Sequence, residues 1–516
     1  MEDIMQSIIK KLFVSTVFAA LAIFAVSAHA KDRVYNTDVV VVGVGGAGVS
    51  EAVSAAESGA KVIALEKQSI AGCSSNFAEG LFAVQTEEQR KLFVDLTAEE
   101  VFKKSMEINR GYRVNPALVM TYIKESTNTI KWLKDEGVKF EVFRMSAEEP
   151  QTWHLVKDYK GAHHGAALIT RMVERAEELG VKIMYNTPGK KLIVKNGVVK
   201  GVEAVDKRGN KVIINAKAVI VATGGFGDSK EKIDNWTPYN SKEVEQLIPL
   251  GKTGDGLEMM AEDAGAELVG LGLMLHPAIH DKYLPPMGDT LGMTWEPNLW
   301  VNKYGERVID ETIVHNFSIA GHVIEAQRDA YVWSVFDENT VKLLETEGAR
   351  TGLGVLIPVG TKFTKIRTEI KDAVAAGSKR VAYANSLEEL SKKIGTDVKK
   401  LKASVKQYNE IATKHKDEMF GRKAETVIPI NNPTYYAVRV QPTFFTTLGG
   451  AAVTTDFEVR NDKDEIIKGL YAAGCDAGGQ YGRTYTLWAS GSAYSFAATS
   501  GRISGVNATN YAKNAK

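Results

Sequence analysis

The sequence predicts an α/β fold, and three observations predict it. A continuous β-branched run, Asp38-Val39-Val40-Val41-Val42, reads as a strand buried on both faces of a parallel sheet. A glycine turn, Gly43-Val44-Gly45-Gly46-Ala47-Gly48, follows at once. A helical pattern over 49–58 then leads into a second apolar strand, 61–65, closed by Glu66. The chain has 516 residues, 44% hydrophobic and 25% charged, enough for two domains and a large core.

In chain order, the first thirty residues stand apart. Lys10 and Lys11 precede an apolar run from 12 to about 26. Ser27-Ala28-His29-Ala30 then supplies the small-x-small pattern that a signal peptidase needs. Residues 1–30 are expected to be a signal peptide cleaved after Ala30. No twin arginine precedes the run, so the general secretory route would carry the mature chain to the periplasm. An uncleaved anchor is the other reading of the same run. No later segment is apolar enough to cross a membrane.

The strand-turn-helix-strand that follows is a dinucleotide-binding unit. Gly43 permits the tight turn, Gly45 lets a pyrophosphate approach the backbone, and Gly48 lets helix and strand pack closely. Gly46 and Ala47 open the helix, whose N-terminus turns its partial positive charge to the phosphates. Glu66, 18 residues past Gly48, stands where a carboxylate accepts hydrogen bonds from a ribose diol, with Lys67 beside it.

Later segments return to the same cofactor. A β-meander over 192–214 has turns at Asn196-Gly197 and Arg208-Gly209-Asn210. A strand at 218–222 then runs into Thr223-Gly224-Gly225. Thr253-Gly254-Asp255-Gly256 opens another helix, and Gly469-Leu470-Tyr471-Ala472-Ala473-Gly474-Cys475-Asp476 lies near the C-terminus. So many returns suit FAD, a long molecule, better than NAD. Asp476 is the acid expected at the ribityl hydroxyls.

Composition excludes other classes. Lys and Arg number 64 against 63 Asp and Glu, so no basic excess points to nucleic acid. Two cysteines, Cys73 and Cys475, make neither a disulfide framework nor a cysteine-rich metal site. No Cys-x-x-Cys-His run attaches a c-type haem. His154, His163 and His164 match no standard ligand spacing, so no metal is expected.

These segments resemble the flavoprotein subunits of fumarate reductase and succinate dehydrogenase. Within that family they are similar to the soluble periplasmic flavocytochrome c fumarate reductases and the related urocanate, acrylate and methacrylate reductases. The likeness covers essentially all of 35–510. It implies a Rossmann-like FAD-binding domain of the GR2 type, split into 31–273 and 442–516, with an α+β capping domain, 274–441, inserted between. The substrate would sit between cap and flavin. The loop Gly72-Cys73-Ser74-Ser75-Asn76-Phe77-Ala78-Glu79-Gly80 would run under the flavin, so Ser74, Ser75, Asn76 and Gly80 join the expected FAD contacts. It holds no histidine where membrane-bound relatives link their flavin, so FAD is expected to be non-covalent. Many relatives carry their own haem or FMN domain. Here the FAD unit follows the leader directly, so electrons are expected from a separate multihaem c-type cytochrome.

The resemblance also assigns chemistry: reduction of an activated C=C bond by a hydride and a side-chain proton. His276-Pro277 matches a carboxylate-binding His-Pro. Asn302-Lys303-Tyr304-Gly305-Glu306-Arg307-Val308-Ile309-Asp310-Glu311 matches the strand-turn-strand before the proton-donating arginine, whose place is held by His315. Phe445-Thr446 replaces a family His-His, so dicarboxylate anchors are missing and fumarate is disfavoured. Arg483 lies near a carboxylate-binding position, and Tyr485 resembles a ketone-polarising tyrosine of 3-ketosteroid dehydrogenases. His315 ranks first as proton donor, Tyr485 second, and Arg483 is the anchor. The helix beginning about Ser490 is expected to face the flavin's pyrimidine edge. The reading is therefore a periplasmic FAD-dependent reductase of an α,β-unsaturated carboxylate or enone. A 3-ketosteroid-type dehydrogenase and an electron carrier without turnover are the alternatives.

Overall fold

The computed structural model of the protein describes residues 32–109, 113–145, 149–352, 354–482, 484–485 and 489–515. The proposed leader, 1–30, and Arg483 lie outside these residues.

The strand Val39–Val42 is buried along its whole length, as its unbroken valines require, and lies at the centre of a six-stranded sheet. Val62–Leu65 pairs parallel on one side and Ala218–Val221 on the other. Lys182–Met184 extends one edge. Ile466–Ala472 joins Ala218–Val221 in parallel, and Glu458–Arg460 closes that edge antiparallel. The sheet thus draws strands from both ends of the chain. The meander is present as Gly189–Lys195, Val198–Val205 and Lys211–Asn215, with Arg33–Asn36 added in parallel.

Two helices pack closely over the sheet, Gly46–Glu57 and the C-terminal Ser492–Asn514. Their contact is made by small residues. A Cβ at Gly501 would stand 2.4 Å from the Ala47 carbonyl oxygen, and one at Gly505 would stand 2.1 Å from the Ser54 hydroxyl.

The strands Leu268–Ala278 and Tyr435–Ala451 form a long irregular antiparallel pair. The expected boundaries at Met274 and Gln441 fall inside this pair, where Ala278 faces Gln441. Tyr435–Ala451 also pairs with Val332–Asp337 and Val381–Ala384, and three hydrophobic clusters lie wholly within 278–440. On the outside of this region Ser386 caps Leu387–Ile394 and Asp397 caps Val398–Lys414, an amphipathic pair whose charged faces are solvated. Its interior holds an ionic network. Glu311 takes Arg307 at 2.9 and 3.0 Å and Arg422 at 2.7 Å, and Arg307 also meets Asp417 at 2.9 Å. Among the described residues, no helix is long and apolar enough to cross a membrane.

Candidate functional site

A cleft opens where the parallel strands end. It is lined by 42–47, 65–68, 72–75, 188–189, 222–224, 250–252 and 473–475, with Asp255, Thr446 and Ala497. Its floor is the glycine turn. Gly43 has φ +105°, and a Cβ there would lie 2.3 Å from the Ala222 carbonyl oxygen, so this turn admits only glycine. Gly45 differs. Its φ of −82° suits any residue, and a Cβ on it would meet no protein atom within 3.7 Å, because it would project into the cleft. Gly45 caps the helix Gly46–Glu57, so the empty space lies at a helix N-terminus, a cradle of the size and polarity a pyrophosphate needs. The lining fits FAD on this ground.

Gly46, Ala47, Glu66, Lys67, Ser74, Ser75, Gly224 and Gly474 all line the cleft. Glu66 accepts the Val44 N–H at 3.0 Å and the Gln68 N–H at 2.8 Å, which fixes its carboxylate at the strand end. Burial pushes its pKa above the ordinary value. The Ser75 hydroxyl accepts the Gly46 N–H at 3.0 Å. Lys67 bonds Thr253 at 2.8 Å and Asp255 at 2.9 Å, joining the second strand to the helix that Gly254 caps. Gly48 lies behind the turn, where a Cβ would come 1.9 Å from the Gly43 carbonyl oxygen.

Several of the expected contacts are not among the residues that line the cleft. Asp476 does not face the cleft. Its buried carboxylate accepts the N–H groups of Thr223, Gly224 and Gly225 and the Thr223 hydroxyl, so it ties two cofactor loops together. Gly225 packs against Thr447. Asn76 donates to the Ala71 carbonyl oxygen at 3.0 Å and stabilises its own loop. Gly80 allows close strand pairing, since a Cβ would sit 2.4 Å from the His154 carbonyl oxygen. Ser490 precedes the helix Ser492–Asn514 and donates to Glu149 at 2.6 Å. His154 is a core residue held by Thr86 and Thr152.

Lining residues that sequence reasoning did not assign include Lys252, Cys73 and Cys475. Lys252 is nearly inaccessible, donates to the Phe445 carbonyl oxygen at 2.7 Å, and has its pKa lowered by burial. Its position just before Thr253-Gly254-Asp255 was the available signal.

Beyond Thr446 the cleft gives way to an aromatic cluster. His276 stacks on Phe445 at 4.4 Å between centroids and lies near Trp295 and Phe317. Phe317 stacks on Tyr485, which lies 5.2 Å from Tyr481. Met274 and Leu448 complete the packing. His276 is 1% exposed, and burial lowers its pKa to about 3, so the ring is neutral. Thr443 holds its Nδ1 at 2.9 Å, while Nε2 has no hydrogen-bond partner. The buried Trp295 Nε1 has none either. These two unpartnered polar atoms lie near each other, with 6.4 Å between the ring centroids.

Tyr485 is buried, and its hydroxyl oxygen accepts the Ala493 N–H at 3.1 Å from the first turn of the C-terminal helix. Burial pushes its pKa up to about 12, so it is a neutral donor. His315 is exposed at the end of a short 3₁₀ turn, Glu311–His315, whereas Phe317 and Ser318, just after it, reach the aromatic cluster. Of the two candidates, Tyr485 is the enclosed one and His315 the exposed one.

A family model described as "FAD binding domain" matches residues 38–491. A vinyl phenol reductase of Lactiplantibacillus plantarum is 35% identical over 489 residues, covering 92% of this chain and 96% of that protein. A fumarate reductase (cytochrome) of Shewanella frigidimarina is 30% identical, covering 93% of this chain and 78% of that one. Among solved structures, the open conformation of a flavocytochrome c3 fumarate reductase superposes with TM-score 0.70 at 26% identity, over 96% of this chain and 81% of that one.

Proposed function

Since the chain belongs to the FAD-binding-domain family, and within it to the fumarate-reductase-like oxidoreductases acting on C=C bonds, we propose that it reduces an alkene conjugated to an aromatic ring. The substrate class is a vinyl phenol or an aryl-substituted unsaturated acid. The observation that carries this reading is the neutral aromatic cluster with the unpartnered His276 Nε2. A charged dicarboxylate needs cations at both ends, and losing one charge-assisted contact costs a few kcal/mol. An aromatic ring instead gains by stacking, and a phenol or single carboxyl finds His276 and Trp295.

The glycine turn and helix N-terminus hold the pyrophosphate, Glu66 the ribose, and Lys252 closes the far wall. FAD is held without a covalent link and, when reduced, supplies the hydride. Phe445, Phe317 and Trp295 orient the ring and exclude water. Tyr485 delivers a proton to the alkene carbon left carrying negative charge, its neutral phenol being both donor and hydrogen-bonding electrophile. The leader-like segment 1–30 supports export to the periplasm, where a separate c-type cytochrome would supply electrons.

The test is anaerobic reoxidation of the dithionite-reduced holoenzyme by 4-vinylphenol, cinnamate, urocanate, methacrylate, fumarate and an enone. The aryl alkenes are expected to give the highest kcat/KM. Fumarate at the top of the panel sinks the substrate assignment. Recovery of the chain from a periplasmic fraction with Lys31 at its N-terminus tests the export reading.

A further inference from the structure

Tyr485 is enclosed, so the proton it gives up must be replaced from somewhere. Its phenol oxygen accepts the Ala493 N–H in the first turn of the helix Ser492–Asn514, one residue from Ser492, and its ring lies 5.2 Å from that of Tyr481. The Ser492 hydroxyl is in turn 2.7 Å from the Tyr481 hydroxyl. All three side chains are nearly inaccessible, with Tyr485 at 5%, Ser492 at 6% and Tyr481 at 7% exposure. Tyr481 and Ser492 also border a separate small cavity of about 20 Å³, room for about one water, together with Tyr122, Gln480 and the half-buried Ser105. The Gln480 side-chain oxygen is buried there without a partner. An unpartnered amide oxygen, two phenols and a hydroxyl around one space are what an ordered water requires.

We propose that Ser492 and Tyr481 form a hydroxyl path that reprotonates Tyr485 from the cavity at Gln480. This rests on the reading of Tyr485 as proton donor. In each turnover the Tyr485 proton goes to the substrate carbon, while reduced FAD, when bound, would supply the hydride. The Tyr485 oxygen then takes the Ser492 hydroxyl proton, Ser492 takes that of Tyr481, and Tyr481 takes one from water in the cavity. One solvent proton is consumed, and each hydroxyl returns to its starting state. Tyr122 supports the path by donating to the Ser492 carbonyl oxygen at 3.3 Å. Burial holds the Tyr481 pKa well above the usual phenol value, which suits a group that passes protons without storing charge. The 2.7 Å link between the Ser492 and Tyr481 hydroxyls favours transfer between neutral hydroxyls.

Tyr481→Phe, Ser492→Ala, Ser492→Thr and Tyr485→Phe test this as holoenzymes, using the same six acceptors and dithionite. Tyr481→Phe keeps the ring packing and removes only the hydroxyl. Tyr481→Phe and Ser492→Ala are each expected to lower kcat by roughly 10- to 100-fold with KM within about twofold. The solvent deuterium isotope effect should rise in both. Ser492→Thr, which keeps the hydroxyl, should recover most of the rate. A loss of turnover in Tyr485→Phe, with Tyr481→Phe and Ser492→Ala at wild-type rate and isotope effect, overturns the path alone. Wild-type turnover in Tyr485→Phe, or a holoenzyme that none of the six acceptors reoxidises, overturns both the path and the donor reading.

Discussion

The rings of His276 and Phe445 lie face to face, 4.4 Å between centroids and 30° between planes, and the histidine is the more deeply buried partner. His276 stands where the resemblance places a carboxylate-binding histidine, and Phe445 stands where it places one histidine of a His-His pair, so a neutral imidazole lies against a phenyl ring. On the proposed reading, selection there works by stacking and by one hydrogen bond.

His276 should stay neutral in the working range, since its pKa is pushed down to about 3 by burial. The pH profile of kcat/KM is expected to show no limb from His276 between about pH 5 and 9. His276→Gln should preserve the shape of the profile while lowering kcat/KM. A limb near pH 6.5 that disappears in His276→Gln would show that the ring ionises and binds an anion.

Cofactor retention tests the cleft. Gly45→Val should give a folded chain without FAD, because the backbone there tolerates valine and only the cradle is filled. Asp476→Ala should also lose FAD, by a different route: three N–H groups and a hydroxyl lose their acceptor, at about 1–3 kcal/mol for a buried unsatisfied group. Absorbance at the flavin bands after gel filtration measures both. Acid precipitation of the wild type should leave a colourless pellet, and a yellow one would refute non-covalent binding.

Two buried carboxyls make stability depend on pH. Burial raises Glu79 from 4.5 to about 7, against hydrogen bonds from the Val355 and Leu356 backbone. Burial raises Glu149 likewise to about 7, against its bond from Ser490. A raised carboxyl pKa means that the folded state holds the proton more tightly than the unfolded one. The contribution is complete below about pH 4.5 and is lost as pH rises through about 7. Thermal midpoints should fall from pH 5 to pH 8, and the Glu79→Gln/Glu149→Gln double variant should flatten that slope. An unchanged slope assigns the pH dependence elsewhere.

Glu311 anchors two buried guanidinium groups, so its loss strands both. Glu311→Ala is expected to destabilise the protein by about 3–5 kcal/mol, read as a shift of the urea midpoint. A shift below about 1 kcal/mol would mean that Asp417 and solvent compensate for it.

The first βαβ unit was legible in the sequence because its signals are local. An unbroken valine strand, glycines at fixed offsets and an acid at the end of the second strand each carry their own steric or polar reason. Helix caps at Ser386 and Asp397 and the meander turns at Asn196-Gly197 and Arg208-Gly209-Asn210 were legible for the same cause. The return of the chain at 218–225 and 469–476 was readable as strand and turn.

What each side chain faces there was not. Asp476 looks like a cofactor ligand by its place after a glycine turn, yet its carboxylate satisfies the N–H groups of a turn hundreds of residues earlier in the chain. His315 occupies an aligned position but ends exposed, while Tyr485 is enclosed by Phe317 and by Tyr481. The sequence by itself determined the class of fold, the cofactor and the kind of chemistry, because those follow from short-range backbone geometry. Only the tertiary structure decided which polar groups are spent on one another and which remain for a ligand, because hydrogen-bond satisfaction of buried groups is settled between segments distant along the chain.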